Sequence, residues 1–214
     1  MMSKKGIWVV FEGIDGSGKS TQVMRVESEL RLAGDLVRIT KEPGGTTVWG
    51  KQIRSWLLNP DEGNALEPIE QFAAFCFDRT IHVNRVVRPS VNEGMIVLQD
   101  RSFGSTYAYQ VYAQGVVLTY EATMITKTLL QGFYPDLWVF LDINEDLALE
   151  RISMETRKRL DHFDKMGIEH LRRVREGYRR FFREQVDSDS VLVVDGSLEE
   201  AEITKLIIAA IKGE

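Results

Sequence analysis

The chain has 214 residues, 43% of them hydrophobic and 28% charged, a composition that supports a packed core and excludes a disordered tail or linker. Its formal net charge of −5 gives no general attraction to a polyanion, which argues against a nucleic-acid polymer as partner. The single cysteine, Cys76, excludes an internal disulfide, and the three histidines supply no zinc spacing, so a reducing cytoplasm is the expected location. No apolar run reaches the roughly 20 residues that span a bilayer, and no membrane partner is expected. Residues 1–5 lead into a short apolar run ending at Glu12, which reads as a soluble protein that is not exported.

Ile7-Trp8-Val9-Val10-Phe11 is rich in β-branched and aromatic residues and stops at a glycine-rich segment, as a buried strand does. Behind the glycines, Val23, Val26, Leu30 and Ala33 recur at helical spacing, with Gly34 placed to end the helix. Further strands are predicted at Leu36–Thr40, Met95–Gln99, Leu137–Leu141 and Val191–Val194. Alternation of strands with helical stretches predicts an α/β fold in three layers, a five-stranded parallel sheet flanked by helices. Asn144 is a helix cap ahead of Glu145 and Asp146, and Ser197-Leu198-Glu199-Glu200 reads as a capping box for the last helix. Residues 152–163 are too charged to pack and read as a short mobile lid. No repeat or composition shift divides the chain, so residues 1–214 are read as one domain.

Gly13-Ile14-Asp15-Gly16-Ser17-Gly18-Lys19-Ser20 matches the phosphate-loop (P-loop) pattern and sits between a predicted strand and a predicted helix, the context that pattern requires. Glycines let successive N–H groups turn toward phosphate oxygens at the positive end of the following helix. Lys19 supplies a full charge to the transferring phosphoryl group and Ser20 a hydroxyl for Mg²⁺. A GTPase would need Asn-Lys-x-Asp, which is absent, and the Asp-x-x-Gly match at Asp164 to Gly167 lies too late. A motor ATPase would end the run Ile96-Val97-Leu98-Gln99 on Asp-Glu, whereas this chain continues with Asp100-Arg101. An arginine at a strand end facing phosphates suits a second phosphate-bearing substrate.

Beyond the phosphate loop, Lys41-Glu42-Pro43-Gly44-Gly45-Thr46, Ile53-Arg54-Ser55-Trp56-Leu57-Leu58, Phe75-Cys76-Phe77-Asp78-Arg79, Asp100-Arg101-Ser102, Ser105-Thr106-Tyr107-Ala108-Tyr109-Gln110 and Asp195-Gly196-Ser197 occur in order. With these segments the chain resembles the thymidylate kinases along nearly its whole length, in the bacterial-type branch whose lid is basic.

That resemblance implies transfer of the γ-phosphoryl group of Mg-ATP to dTMP, giving dTDP and ADP by in-line displacement, and a homodimer formed through helices beside the acceptor site. ATP contacts would come from Gly13, Asp15, Gly16, Ser17, Gly18, Lys19, Ser20 and Thr21, with Arg157 and Arg159 reaching in from the lid and Arg151 a further candidate. The acceptor would be held by Arg54 and Arg101 on its phosphate, by Phe75 and Arg79 on the thymine, and by Thr106 and Gln110 at the base edge. Tyr109 would fill the space beside the 2′ carbon, Asp15 would sit near the 3′-hydroxyl and the metal, and Glu42 would position the same region. Lys19, Arg101, Arg157 and Asp15 are the implied catalytic residues; Ser20, Asp15 and Asp100 are the implied oxygens around Mg²⁺. Plainer readings stay open: Tyr109 as a core tyrosine, Thr106 as a helix cap, Arg54 as a solvated helix charge, His82 and His170 as structural histidines.

Some positions depart from the pattern. His162 stands where the lid usually has arginine, Lys41 where arginine is common, and Val111-Tyr112-Ala113-Gln114-Gly115 replaces a glycine-rich stretch. The basic run from Arg172 to Arg183 lies opposite Ile168, Leu171, Val174, Tyr178 and Phe181 on one helix and reads as a solvated face. Two rival readings are another nucleoside or nucleotide kinase of the same fold, and a nucleotide-binding regulatory module that phosphorylates nothing small.

Overall fold

Strand β1 (Ile7–Glu12) lies at the centre of the molecule, and Trp8 to Phe11 are wholly buried, as a strand covered on both faces must be. In the computed structural model, which describes residues 6–45, 47–58, 65–154 and 167–213, β2 (Val37–Lys41), β3 (Ile96–Asp100), β4 (Leu137–Asp142) and β5 (Val191–Asp195) complete the sheet. The strand order is β2-β3-β1-β4-β5 and every ladder is parallel. This is the predicted five-stranded parallel sheet. Each strand runs one residue past its predicted end, because backbone pairing continues through polar Lys41↔Asp100 and Asp142↔Asp195 after the apolar run has stopped.

Helices cover both faces: α1 (Lys19–Leu32), α2 (Val48–Leu58), α3 (Pro68–His82), α4 (Arg88–Asn92), α5 (Phe103–Thr106), α6 (Thr119–Leu130), α7 (Glu145–Met154), α8 (Ile168–Glu184) and α9 (Glu200–Lys212). Wide π turns at Val83–Val87 and Tyr107–Ala113 join α3 to α4 and extend α5. Alternate residues of β1 serve opposite cores. Val9 and Phe11 pack with Val26 and Leu30 of α1 and Ile207 of α9, whereas Trp8 and Val10 meet an aromatic core with Tyr178, Phe181 and Phe182 of α8. Phe140 stacks on Phe182 at 4.9 Å and Trp138 meets Phe181 edge-on at 5.5 Å, contacts that fix the rotation of α8 about its axis. Gly34, at φ 86, ends α1 as predicted.

Three local expectations are corrected. Ser197 does not cap α9: its N–H and Oγ–H both donate to Asp195 Oδ1 (2.9 and 2.6 Å), a turn bond that competes with the cap, and Glu199 takes the N-cap position without a side-chain bond. The lid does not begin at residue 152, since Ile152, Ser153 and Met154 complete α7, where Ser153 Oγ–H is satisfied by the Glu150 carbonyl at 2.7 Å. The basic face of α8 is ion-paired rather than simply solvated, with Arg175 and Arg179 on Asp142, and Arg172 and Arg175 on Glu145. Residues 155–166, with the lid arginines Arg157 and Arg159 and with His162, lie outside the described residues. The Asn144 cap forms as expected, its Oδ1 accepting from Asp146 N at 2.7 Å.

Candidate active site

The chain leaves β1 through Gly13, Gly16 and Gly18, all with positive φ (148°, 76° and 89°). A side chain is excluded at two of them by more than dihedral preference. A Cβ at Gly13 would stand 2.6 Å from the Leu141 carbonyl, and one at Gly16 would press on the Ala148 carbonyl. Lys19, only 6% exposed, folds back over the loop and donates to the Ile14 carbonyl at 2.8 Å. Burial, reinforced by the Arg101 charge, lowers the Lys19 ammonium to about 8. At the start of α1, Ser20 Oγ–H donates to Asp100 Oδ2 at 2.7 Å, and the buried Asp100 Oδ1 has no hydrogen-bond partner among the described residues.

Arg101 follows β3 in the left-handed conformation, φ 67, one of two non-glycine residues so placed among those described. This bend turns its guanidinium back across the loop. Nη2–H meets Asp15 Oδ1 at 2.5 Å, and Nη1 reaches Ser105 Oγ (3.0 Å), Tyr178 Oη (2.9 Å) and the Gly13 carbonyl (3.3 Å). Tyr109 Oη–H donates to the other Asp15 oxygen at 2.7 Å while its ring lies 5.6 Å from the guanidinium carbon. Burial alone would raise the Asp15 carboxyl, but the charges of Arg101 and Lys19 hold it at about 2. Both Asp15 oxygens are thus engaged inside the protein.

Glu12, fully buried just before the loop, supports this arrangement from below. Its Oε1 accepts from the backbone N–H groups of Ser102 (2.8 Å) and Ser105 (3.0 Å), and its Oε2 accepts from Ser105 Oγ–H at 2.6 Å and Tyr178 Oη–H at 3.2 Å. Burial pushes the Glu12 carboxyl up despite these bonds.

A second constellation forms where α3 passes the end of β2. Arg79, 2% exposed, donates from Nε to Glu42 Oε2 and from Nη2 to Thr106 Oγ1, both at 2.9 Å. Glu42 Oε1 meets His82 Nδ1 at 3.0 Å, and His82 Nε2 meets Thr40 Oγ1 at 2.5 Å. Burial opposes ionisation of Glu42, but Arg79 and His82 hold its carboxyl below the usual range. Asp78 behaves oppositely: burial and the neighbouring Glu42 raise it to about 6, while its Oδ2 accepts from Gly44 N at 3.1 Å. Arg54 of α2 donates to the Pro43 carbonyl at 2.9 Å.

One cavity of about 780 Å³ joins the two constellations. Of the residues expected at the site, Asp15, Gly16, Ser17, Gly18, Lys19, Ser20 and Thr21 line its phosphate-loop side together with Asp100 and Arg101. Glu42, Arg54, Phe75, Arg79, Thr106, Tyr109 and Gln110 line the other side. Gly13 stands behind the loop, in contact with the Arg101 guanidinium through its carbonyl. Thr106 is buried and bonds Arg79 rather than a helix N–H. Arg151 also reaches the cavity, its Nη1 on the Gly196 carbonyl at 3.0 Å. Arg157 and Arg159 fall in the segment that is not described. Sequence reasoning missed Glu12, Gln99 and Tyr178 and left His82 as structural. The available signal was a polar residue ending each of the apolar runs Ile7–Phe11 and Ile96–Leu98, since a polar group at the buried end of a strand needs a partner.

The sequence is similar to those of known proteins over nearly its whole length. The sequence model of the family described as thymidylate kinase matches residues 11–207. A thymidylate kinase of Sulfurihydrogenibium sp. is 36% identical over 209 residues, covering 97% of both chains. Thymidylate kinases of Geobacillus sp. (33% over 207 residues, 97% of this chain and 96% of the other) and Chlorobaculum tepidum (35% over 211 residues, 95% of each) are similar over the same extent.

Proposed function

The chain belongs to the thymidylate kinase family, and from that premise we propose that it transfers the γ-phosphoryl group of ATP to dTMP, releasing ADP and dTDP. The observation that carries this reading is the shared cavity: a phosphate loop and Arg101 at one side, and the buried Arg79–Glu42–Thr106 group at the other. A regulatory nucleotide-binding module would have no use for the second half.

Lys19 and the loop N–H groups bind the donor phosphates, and ligand phosphate takes the place that the Ile14 carbonyl now occupies on Lys19. Arg101 stands between donor and acceptor, held at four points before either arrives, so it stabilises equatorial charge without reorganising. The second pKa of a phosphate monoester lies near roughly 6, so the acceptor oxygen is already anionic at neutral pH and no general base is required. Arg54 fits the acceptor phosphate, Phe75 stacks on the thymine, and Arg79, with Thr106 and Gln110, reads its edge. Gln110 Nε2 is buried with no hydrogen-bond partner among the described residues, as a donor awaiting a base carbonyl would be. Tyr109, bonded to Asp15, closes the side of the sugar.

Ser20 Oγ and Asp100 Oδ1, the latter without a partner among the described residues, are hard oxygen donors beside the phosphate loop, and they fit Mg²⁺ carried in with the nucleotide. When bound there, the ion would neutralise charge on the transferring phosphates. Arg157 and Arg159 would complete the cationic shell from the lid. We further read residues 1–214 as one domain acting in the cytoplasm; no helix among the described residues is long and apolar enough to cross a membrane. A homodimer is supported by Trp56 on α2 and Ile69 and Phe77 on α3, large apolar side chains left about half exposed beside the acceptor wall.

An ADP-release assay with ATP, Mg²⁺ and a panel of nucleoside monophosphates tests the reading. dTMP is the expected best acceptor. Preference for AMP, CMP or GMP would replace the reading with another nucleotide kinase, and no turnover with any acceptor would favour the regulatory module.

A further inference from the structure

Gln99 is the last residue but one of β3 and is wholly buried, in a strand whose preceding residues are apolar. Such a side chain must satisfy one carbonyl and two N–H groups inside the protein. Its Oε1 accepts the Trp8 indole N–H at 2.9 Å, which fixes which way the amide faces. Its Nε2 donates to the Arg101 carbonyl at 2.9 Å. The amide therefore links β1 to the turn at Arg101.

The Arg101 contact falls at a strained point. Arg101 has φ 67, a conformation an L residue avoids unless its surroundings impose it. Its N–H is held by the Phe11 carbonyl at 2.9 Å, and its C=O is held by Gln99. Both peptide groups flanking the bend are pinned, and the bend is what throws the guanidinium across the loop to Asp15, Ser105 and Tyr178. We propose that Gln99 is a positioning residue for phosphoryl transfer, its amide N–H holding the left-handed turn that aims Arg101. Gln99 touches neither substrate nor the reacting atoms. It acts through Arg101, and this inference rests on the kinase reading above.

A double-mutant cycle in kcat between Gln99→Met and Arg101→Ala separates this role from ordinary packing. Gln99→Met should lower kcat about tenfold, the rate equivalent of releasing one left-handed L residue, with the KM for ATP little changed. In the Arg101→Ala background, where no guanidinium remains to be aimed, the same substitution should lower kcat no further. Trp8→Phe serves as the packing control: it breaks the same buried bond yet leaves both amide donors, so its melting temperature should fall while most of kcat survives. If Gln99→Met proves too unstable to assay, Gln99→Glu carries the same cycle, because it keeps an acceptor for the indole but loses the donors. Additive losses in the cycle, or unchanged kcat in the Gln99 single variant, would overturn the inference and leave the kinase reading standing. Absence of wild-type turnover with dTMP would remove both.

Discussion

Replacing Arg79 by methionine, alone and together with Glu42→Gln, separates what this buried pair does for the fold from what it does for the substrate. The Nε–Oε2 distance is 2.9 Å and the two side chains are 2% and 3% exposed, so water cannot rescue either charge once its partner is gone. Arg79→Met strands the Glu42 carboxylate, and breaking a buried pair in this way costs about 3–5 kcal/mol. For a domain of this size that corresponds to a fall in Tm of roughly 6–20 °C. Adding Glu42→Gln removes the stranded charge while keeping a hydrogen-bonding group for His82, and most of the lost Tm should return. Recognition should not return with it. A charged hydrogen bond to the base contributes about 1.5–3 kcal/mol, so kcat/KM for dTMP should stay down about tenfold to a hundredfold in both variants. Thermal melts and a coupled assay with varied dTMP read the two quantities separately. A double variant that recovers dTMP efficiency along with stability would show that Arg79 only holds the wall together, and the base-reading assignment would be wrong.

Lys19→Ala should keep its far-UV spectrum but lose at least about a hundredfold in turnover, the scale of one preorganised electrostatic group. Since burial and Arg101 hold the wild-type ammonium at about 8, kcat/KM for ATP should decline as pH rises through that value. Lys19→Arg should move this limb upward, and an unmoved limb would assign it to another group. Burial and the neighbouring Glu42 raise the Asp78 carboxyl from its usual 3.8 to about 6 in the fold, so the folded state binds the extra proton between those values. Its contribution to stability therefore falls as pH rises from about 4 to 6 and stays lost above that, at most about 3 kcal/mol. Asp78→Asn should accordingly raise Tm at pH 7.5 and give little gain near pH 4; equal gains at both would refute the assignment. Arg157→Ala should lower kcat with Tm and dTMP affinity retained, and a wild-type kcat in this variant and in the double variant with Arg159→Ala would reduce the lid to a cover.

The parts of the site that were legible in sequence are those in which neighbours along the chain act together. The phosphate loop is eight consecutive residues from Gly13 to Ser20, and the requirement for glycine, lysine and hydroxyl is local. The sheet was legible for a similar reason, since each strand announces itself as a short apolar run between helices. The supporting network was not, because its bonds join distant positions: Tyr178 meets Glu12 across 166 residues, and Trp8 meets Gln99 across 91. Tyr178 looked like one more apolar position on α8, and its ring does pack there, at 5.6 Å from Phe140; only its hydroxyl belongs to the site. His82 shares a helical stripe with Arg79, but its bond to Glu42 depends on how β2 lies against α3. The false capping box at Ser197 has the same origin, in that a motif matched locally lost to a closer acceptor, Asp195.

The charges of the site are paired before any ligand enters, and this bears on how it works. Arg101 is matched by Asp15, and Arg79 by Glu42, while Lys19 rests on a backbone carbonyl. Five cationic or acidic groups held this way require little ordering when substrate binds, so binding energy goes to the reacting phosphates rather than to assembling the site. Asp15 has a second consequence. With its carboxyl held at about 2, it remains ionised throughout the neutral range and partly neutralises Arg101 in the empty enzyme. An isolated phosphate must compete with that carboxylate for the guanidinium. On the proposed reading, a nucleoside monophosphate would gain the additional contacts of the Arg79 wall to offset the competition, so the charge pairing would favour the complete acceptor over the bare anion.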